Sequence, residues 1–317
     1  MRHPAGTGTR AALVALALAA GARAAPPDWT FEAGVGADRA SGDFTLSGGV
    51  PALGNRYQIA APLDGTAWRW NAAAGLAPWV VRARGRIATV GRGTMTDRDW
   101  NRDGLLFAAN HTTATGDDTL TELTAGLQLA GPPPPAERGF SFELGLGYRR
   151  DRRSIESRNK RYDTLVFPEA GGLPPEFVRE RPGLFIEDEI TTGGSLLYGR
   201  GEEAFRAGSL TAYAALEGRF YPSLDTELRE VRYRDVPEIS VRRGIDLSGV
   251  GWELQLALGL RPAPAGRSWA WFAQAGCAWQ RSVTSGHDLS WSYYSTDLAS
   301  DLTIEETTLF LEAGFQF

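Results

Sequence analysis

The segment TMTDRDWNRDG, residues 94–104, carries Asp97 and Asp99 two apart with Trp100 directly after them. On an extended chain, side chains at i and i+2 point the same way. Two neighbouring carboxylates can share a proton or orient a water, which is the equipment of general acid–base hydrolysis. The same spacing also suits a solvated loop turn or a loose cation site. An imidazole would complete the hydrolytic set. Beyond the first few residues the histidines are His111, in AANHTTATGDD, and His287, in SGHDLS. No phosphate loop, metal-ligand cluster or cofactor motif occurs, so no cofactor or metal is expected.

What positions these groups follows from the rest of the chain. Residues 1–24 read as a secretory signal peptide: Arg2 and Arg10 flank a basic start, Ala11 to Ala20 are apolar, and Ala22-Arg23-Ala24 offers a cleavage site. The mature protein is then expected to span 25–317. The net charge of −5 gives no footprint for nucleic acid, and the single Cys277 allows no internal disulfide.

Period-2 alternation runs through the mature chain. In TTLFLEAGFQF, Leu309, Leu311, Ala313, Phe315 and Phe317 share one face, opposite Thr308, Glu312 and Gln316. Trp252, Leu254, Leu256, Leu258 and Leu260 oppose Glu253, Gln255 and Arg261, and Phe140 to Tyr148 oppose Glu143 and Arg149 in the same way. Trp269, Trp271 and Trp279 lie along a further such face, as an interfacial girdle would, with Cys277 directed outward on it. Arg82, Arg84 and Arg86 line the opposite side of their strand, and charges so placed require partners in an enclosed interior.

The pattern predicts an all-β, transmembrane, antiparallel up-and-down β-barrel of about ten strands. These fall near 28–38, 63–75, 79–95, 118–130, 139–155, 186–200, 208–225, 248–261, 267–284 and 302–317. Short turns are expected at 76–78, 131–139, 201–208 and 262–267. Long extracellular loops are expected near 39–62, 96–117, 156–185, 226–247 and 285–301, with both termini periplasmic. Strict alternation from Trp79 sends odd positions to lipid, yet Asp97 and Asp99 are odd. Either a bulge at Gly91 or Gly93 resets the face or the strand has already ended.

A barrel with D-x-D-W at the rim after its third strand resembles the omptins, the outer-membrane surface proteases. WRWNAAAG, GYRRDRRS and the final GHDLSWSYYSTDL and FLEAGFQF add to the likeness. The resemblance implies an outer-membrane location and a water-orienting role for Asp97 and Asp99, facing an Asp and His pair across the cleft. Matching Gly218 to the family's strand glycine puts Thr226 and Leu228 at that second pair, so the family's histidine is absent and His111 is the remaining imidazole candidate. The resemblance also implies a lipopolysaccharide site at Tyr148, Arg150 and Arg152, with Arg150 where the family has Glu.

The expected function is therefore a non-proteolytic outer-membrane barrel acting as adhesin, structural protein or small pore. Its partners would be membrane lipid, lipopolysaccharide and an extracellular protein or peptide at the loops. The alternative is an endopeptidase using Asp97 and Asp99, with Asp97, Asp99, Asp103, Asp117, Asp118, Glu227 and Glu230 forming an acidic field for basic substrates.

Overall fold

A computed structural model describes residues 29–50, 54–104, 106–130, 138–165, 180–235, 238–263, 269–288 and 298–317. The expected signal peptide, and most of the turn at 131–139 and of the fifth loop, lie outside them. Eleven antiparallel segments follow in order: β1 (Trp29–Val50), β2 (Asn55–Pro62), β3 (Gly65–Leu76), β4 (Trp79–Trp100), β5 (Leu106–Ala130), β6 (Arg138–Leu165), β7 (Glu180–Ala207), β8 (Leu210–Asp235), β9 (Glu238–Pro262), β10 (Ala270–Asp288) and β11 (Leu298–Gln316). β2 and β3 both pair with β1 and β4, interrupted only at Leu63 and Asp64, and so make one staved strand. β1 pairs with β11, which closes a ten-stranded barrel.

The strands run much further than alternation with an apolar outer face suggests. Most of the segments expected as extracellular loops continue the sheet, and β7 passes through the expected turn at 201–208 as far as Ala207. The reason is that the alternation changes its content without losing its hydrogen bonds. Below, outward residues are apolar, from Trp252 to Leu260 on β9 for example, in a band suited to a bilayer. Above, outward residues are polar, as are Glu227 and Arg229 on β8.

Inside, the order is reversed. At the level of the outer apolar band the bore holds ion pairs. Arg84 donates to Glu253 Oε1 at 2.7 Å and to Glu122 Oε2 at 2.8 Å, and Arg219 donates to the same two carboxylates at 2.8 and 2.9 Å. Arg86 pairs with Glu306 and Asp118, and Arg153 donates to Glu306 at 3.2 Å. Above this charged stack lies an apolar layer, with Phe44, Ile59, Met95, Ile155, Leu228 and Ile304 among its members, each at most 3% exposed. Buried side chains from most of the strands meet there.

Candidate functional site

Asp97 and Asp99 lie on β4, within the sheet rather than in a loop. The pairing of β4 with β5 shifts between Val90 and Gly93, so a bulge resets the face at this point. Met95 and Asp97 consequently point inward, at 2% and 6% exposure, and half-buried Asp99 follows on the same face. Gly91 closes the bulge by donating its N–H to the Asp64 carbonyl at 2.6 Å.

Asp97 sits directly above the apolar layer, paired in register with Ile59 on β2 and with Asn110 on β5. Asn110 Nδ2 donates to Asp97 Oδ2 at 3.2 Å. From β8, across the barrel, Arg232 Nη1 approaches the same oxygen to 3.9 Å, while its Nε donates to Glu230 Oε1 at 2.6 Å. Burial opposes the charge on Arg232, and the Glu230 and Asp97 carboxylates more than offset it, so its pKa is raised above that of an ordinary arginine. This guanidinium does not serve as a base.

Thr226 and Leu228, the positions matched to the family's second pair, lie deeper. Thr226 shares a hydrogen bond with Thr192 at 3.0 Å, and Leu228, 0% exposed, belongs to the apolar layer. What faces Asp97 is the Glu230–Arg232 pair, four residues further along β8. The pairing of β8 with β9 slips between Tyr221 and Leu224, flipping the inward positions from odd to even. Pro222 inside this stretch is the sequence signal for that bulge, since proline within a sheet favours such sites.

His111 is on β5, not in a loop, and pairs with Thr96. Directly opposed residues share a face, so His111 lies on the other side of the sheet from the Asp97–Asn110 pair. His287 falls on β10, also within the sheet. The structure thus brings Asp97, Asp99, Asn110, Glu230 and Arg232 to one inner face and leaves His111 off it.

Nor are the other rim carboxylates gathered there. Asp118 is beneath the apolar layer with Arg86 and Arg153, Glu227 is on the outer wall with Arg229, and Asp117 and Asp103 are exposed. Among the described residues no group of three or more His, Cys, Asp or Glu is arranged to hold a metal.

Tyr148, Arg150 and Arg152 share the outer face of β6, all exposed. The Tyr148 hydroxyl lies over Gly193 of β7, and Arg152 Nη2 is 3.1 Å from Glu189 Oε1. They sit where the apolar band gives way to polar residues.

No protein-family model matches this chain, and no curated protein is similar to it in sequence. Among solved structures, the outer-membrane protease OmpT of Escherichia coli is similar over 91% of this chain and 96% of that one, with a TM-score of 0.62 and 14% identity. The outer-membrane protein OprG of Pseudomonas aeruginosa is matched over 91% and 95% at a TM-score of 0.33 and 8% identity, too low to bear on this fold. The chain is a closed, ten-stranded antiparallel barrel with the fold of OmpT.

Proposed function

We propose that this chain is an integral outer-membrane barrel acting as a non-proteolytic, non-conducting surface scaffold, with termini in the periplasm and its polar upper sheet outside the cell. The rim would present a surface to an extracellular protein or peptide. The observation that carries the reading is that Asp97 faces Arg232 where hydrolysis would need a base. A positioned base is worth roughly 10²–10⁴-fold in rate, and an arginine does not replace it. Against a pore stands the apolar layer with Leu228 and Ile59 at 0% exposure.

The outer-wall set Tyr148, Arg150 and Arg152 supports lipopolysaccharide as the lipid partner. Guanidinium groups at a leaflet boundary form charge-assisted bonds to phosphate.

A second reading, an endopeptidase using Asp97 and Asp99, draws on their common inward face above a closed floor. The test is cleavage of a fluorogenic dibasic peptide by the refolded barrel with lipopolysaccharide, beside an Asp97→Ala/Asp99→Ala double variant. Equal background rates are expected from protein shown to be folded by heat-modifiable gel migration. Activity that disappears in the double variant would sink the scaffold reading in favour of the peptidase.

A further inference from the structure

The end of the barrel that carries Trp29, Gln316 and the turns at 77–78 and 208–209 opens into a vestibule of about 320 Å³. Its wall includes four arginines, Arg82, Arg200, Arg206 and Arg261, and three glutamates, Glu32, Glu143 and Glu202. Ser141, Thr211 and Gln128 supply neutral hydrogen-bonding groups around them.

The pairing within this set is uneven. Arg82 grips Glu143 with two bonds, Nε to Oε1 at 3.1 Å and Nη2 to Oε2 at 2.9 Å, and Tyr198 donates to the same carboxylate. Glu202 is shared, taking Arg200 at 3.1 Å and Arg261 at 2.7 Å. Glu32 has a single distant contact, Arg82 Nη1 at 4.0 Å. Arg206 donates its Nε to the Gly208 carbonyl at 3.3 Å, a partner in its own turn, and that bond leaves the terminal nitrogens of its guanidinium unused.

Arg82, Arg200 and Arg261 are each paired with a carboxylate of this wall, whereas Arg206 bonds to a backbone carbonyl and is the least neutralised of the four. A half-buried guanidinium with open Nη donors is a receptor for a planar two-oxygen anion, which it can hold with paired bonds. Glu32, weakly engaged, offers a counterpart for an ammonium group. The volume falls in the range of small-molecule sites.

We infer that this vestibule binds the free carboxylate of a short peptide, with Arg206 as the anchoring residue and Glu32 receiving the peptide's ammonium group. The ligand enters from the side of the chain termini, away from the Asp97 face, so the inference is independent of whether that face is catalytic.

The experiment is equilibrium dialysis of the full, detergent-folded chain with alanyl-alanine, against alanyl-alanine amide, which lacks the carboxylate. Saturable binding of the acid is expected, weaker by about tenfold for the amide and in Arg206→Gln, the scale of one charge-assisted hydrogen bond. Arg206→Lys should recover part of the loss. Because Arg206 bonds only to its own turn, heat-modifiable migration should be unchanged in both variants. Equal affinity for acid and amide, undiminished binding in Arg206→Gln, or no saturable binding would each overturn the inference. Displacement by an equal concentration of inorganic phosphate would overturn the assignment to a peptide carboxylate in favour of a generic anion.

Discussion

Arg232 Nη1 stands 3.9 Å from Asp97 Oδ2 across the upper bore, while Arg232 Nε is committed to Glu230 at 2.6 Å. The arginine is thereby held between a carboxylate of its own strand and one from the facing wall. The pair links β4 to β8 without being neighbours in the sheet, and Asn110 fixes the same Asp97 oxygen from β5.

Replacing Asp97 with Asn should weaken the fold while leaving its shape. Side-chain exposure is 8% for Asp97 and 26% for Arg232, so the contact is only partly screened. Loss of a buried, charge-assisted contact costs about 1–3 kcal/mol. The midpoint of urea unfolding in detergent, followed by tryptophan fluorescence, measures it. An unchanged midpoint would mean that the cross-bore contact contributes nothing.

Gly93→Val should disturb the bulge directly. A Cβ at Gly93 would collide with Cγ of Pro62, which closes the β2 side of the bulge. Overpacking of this kind costs about 1–3 kcal/mol, and displacement of the bulge would also disturb the inward placement of Asp97. Gly104→Ala provides the contrast, since there the φ of +75° carries the penalty and no atom is within 4 Å. Equal heat-modifiability in Gly93→Val and the parent protein would contradict this account of the bulge.

These two sites show what was legible beforehand. The ten strands and their inner and outer faces follow from alternation, because lipid and a charged bore impose opposite chemistry on neighbouring residues. The extension beyond the membrane was hidden. There the outer face is polar and the inner face apolar, so Phe44, Leu46, Ile245 and Leu247 reverse the code and resemble loop sequence when judged by the lower band. Asp97 was placed only conditionally, on a bulge at Gly91 or Gly93, and that bulge is present. Its partner is not legible, because Leu228 and Arg232 have the same parity and alternation sends both inward; only the height along β8, four residues apart, distinguishes them.

Glu253 joins Arg84 and Arg219 in the charged stack, with Arg149 at 3.6 Å. Its side chain is 6% exposed, so Glu253→Gln leaves three guanidinium groups with one fewer enclosed counter-charge. Breaking a buried pair from one side costs about 3–5 kcal/mol. A large fall in unfolding midpoint is expected, and Arg229→Ala should do little by comparison. The Arg229–Glu227 pair is open to solvent, which screens it. Equal effects of the two substitutions would show that the stack is not what stiffens the bore.

On the outer wall, Arg150→Ala/Arg152→Ala should leave unfolding within about 0.5 kcal/mol of the parent, as surface changes usually do. If the proposed lipid contact is right, lipopolysaccharide capture by the double variant weakens, and the difference shrinks as salt is added. Vesicles of neutral phospholipid should not distinguish the two proteins. Undiminished capture by the variant would remove these arginines from the lipid contact.

The apolar layer bears on the proposal that the barrel does not conduct. Ions crossing the bore would have to pass Leu228, Ile59, Met95 and Ile304, all at most 3% exposed and drawn from four different strands. Below them Arg86, Glu306, Asp118 and Arg153 are paired with one another. Reconstituted protein should therefore give no single-channel steps in a planar bilayer. Leu228→Ala should cost about 2–5 kcal/mol, the range for truncating a buried leucine, and should still not conduct because the charged stack remains. Steady unit conductance from the unmodified chain would mean that the layer opens, and the scaffold reading would give way to a gated pore.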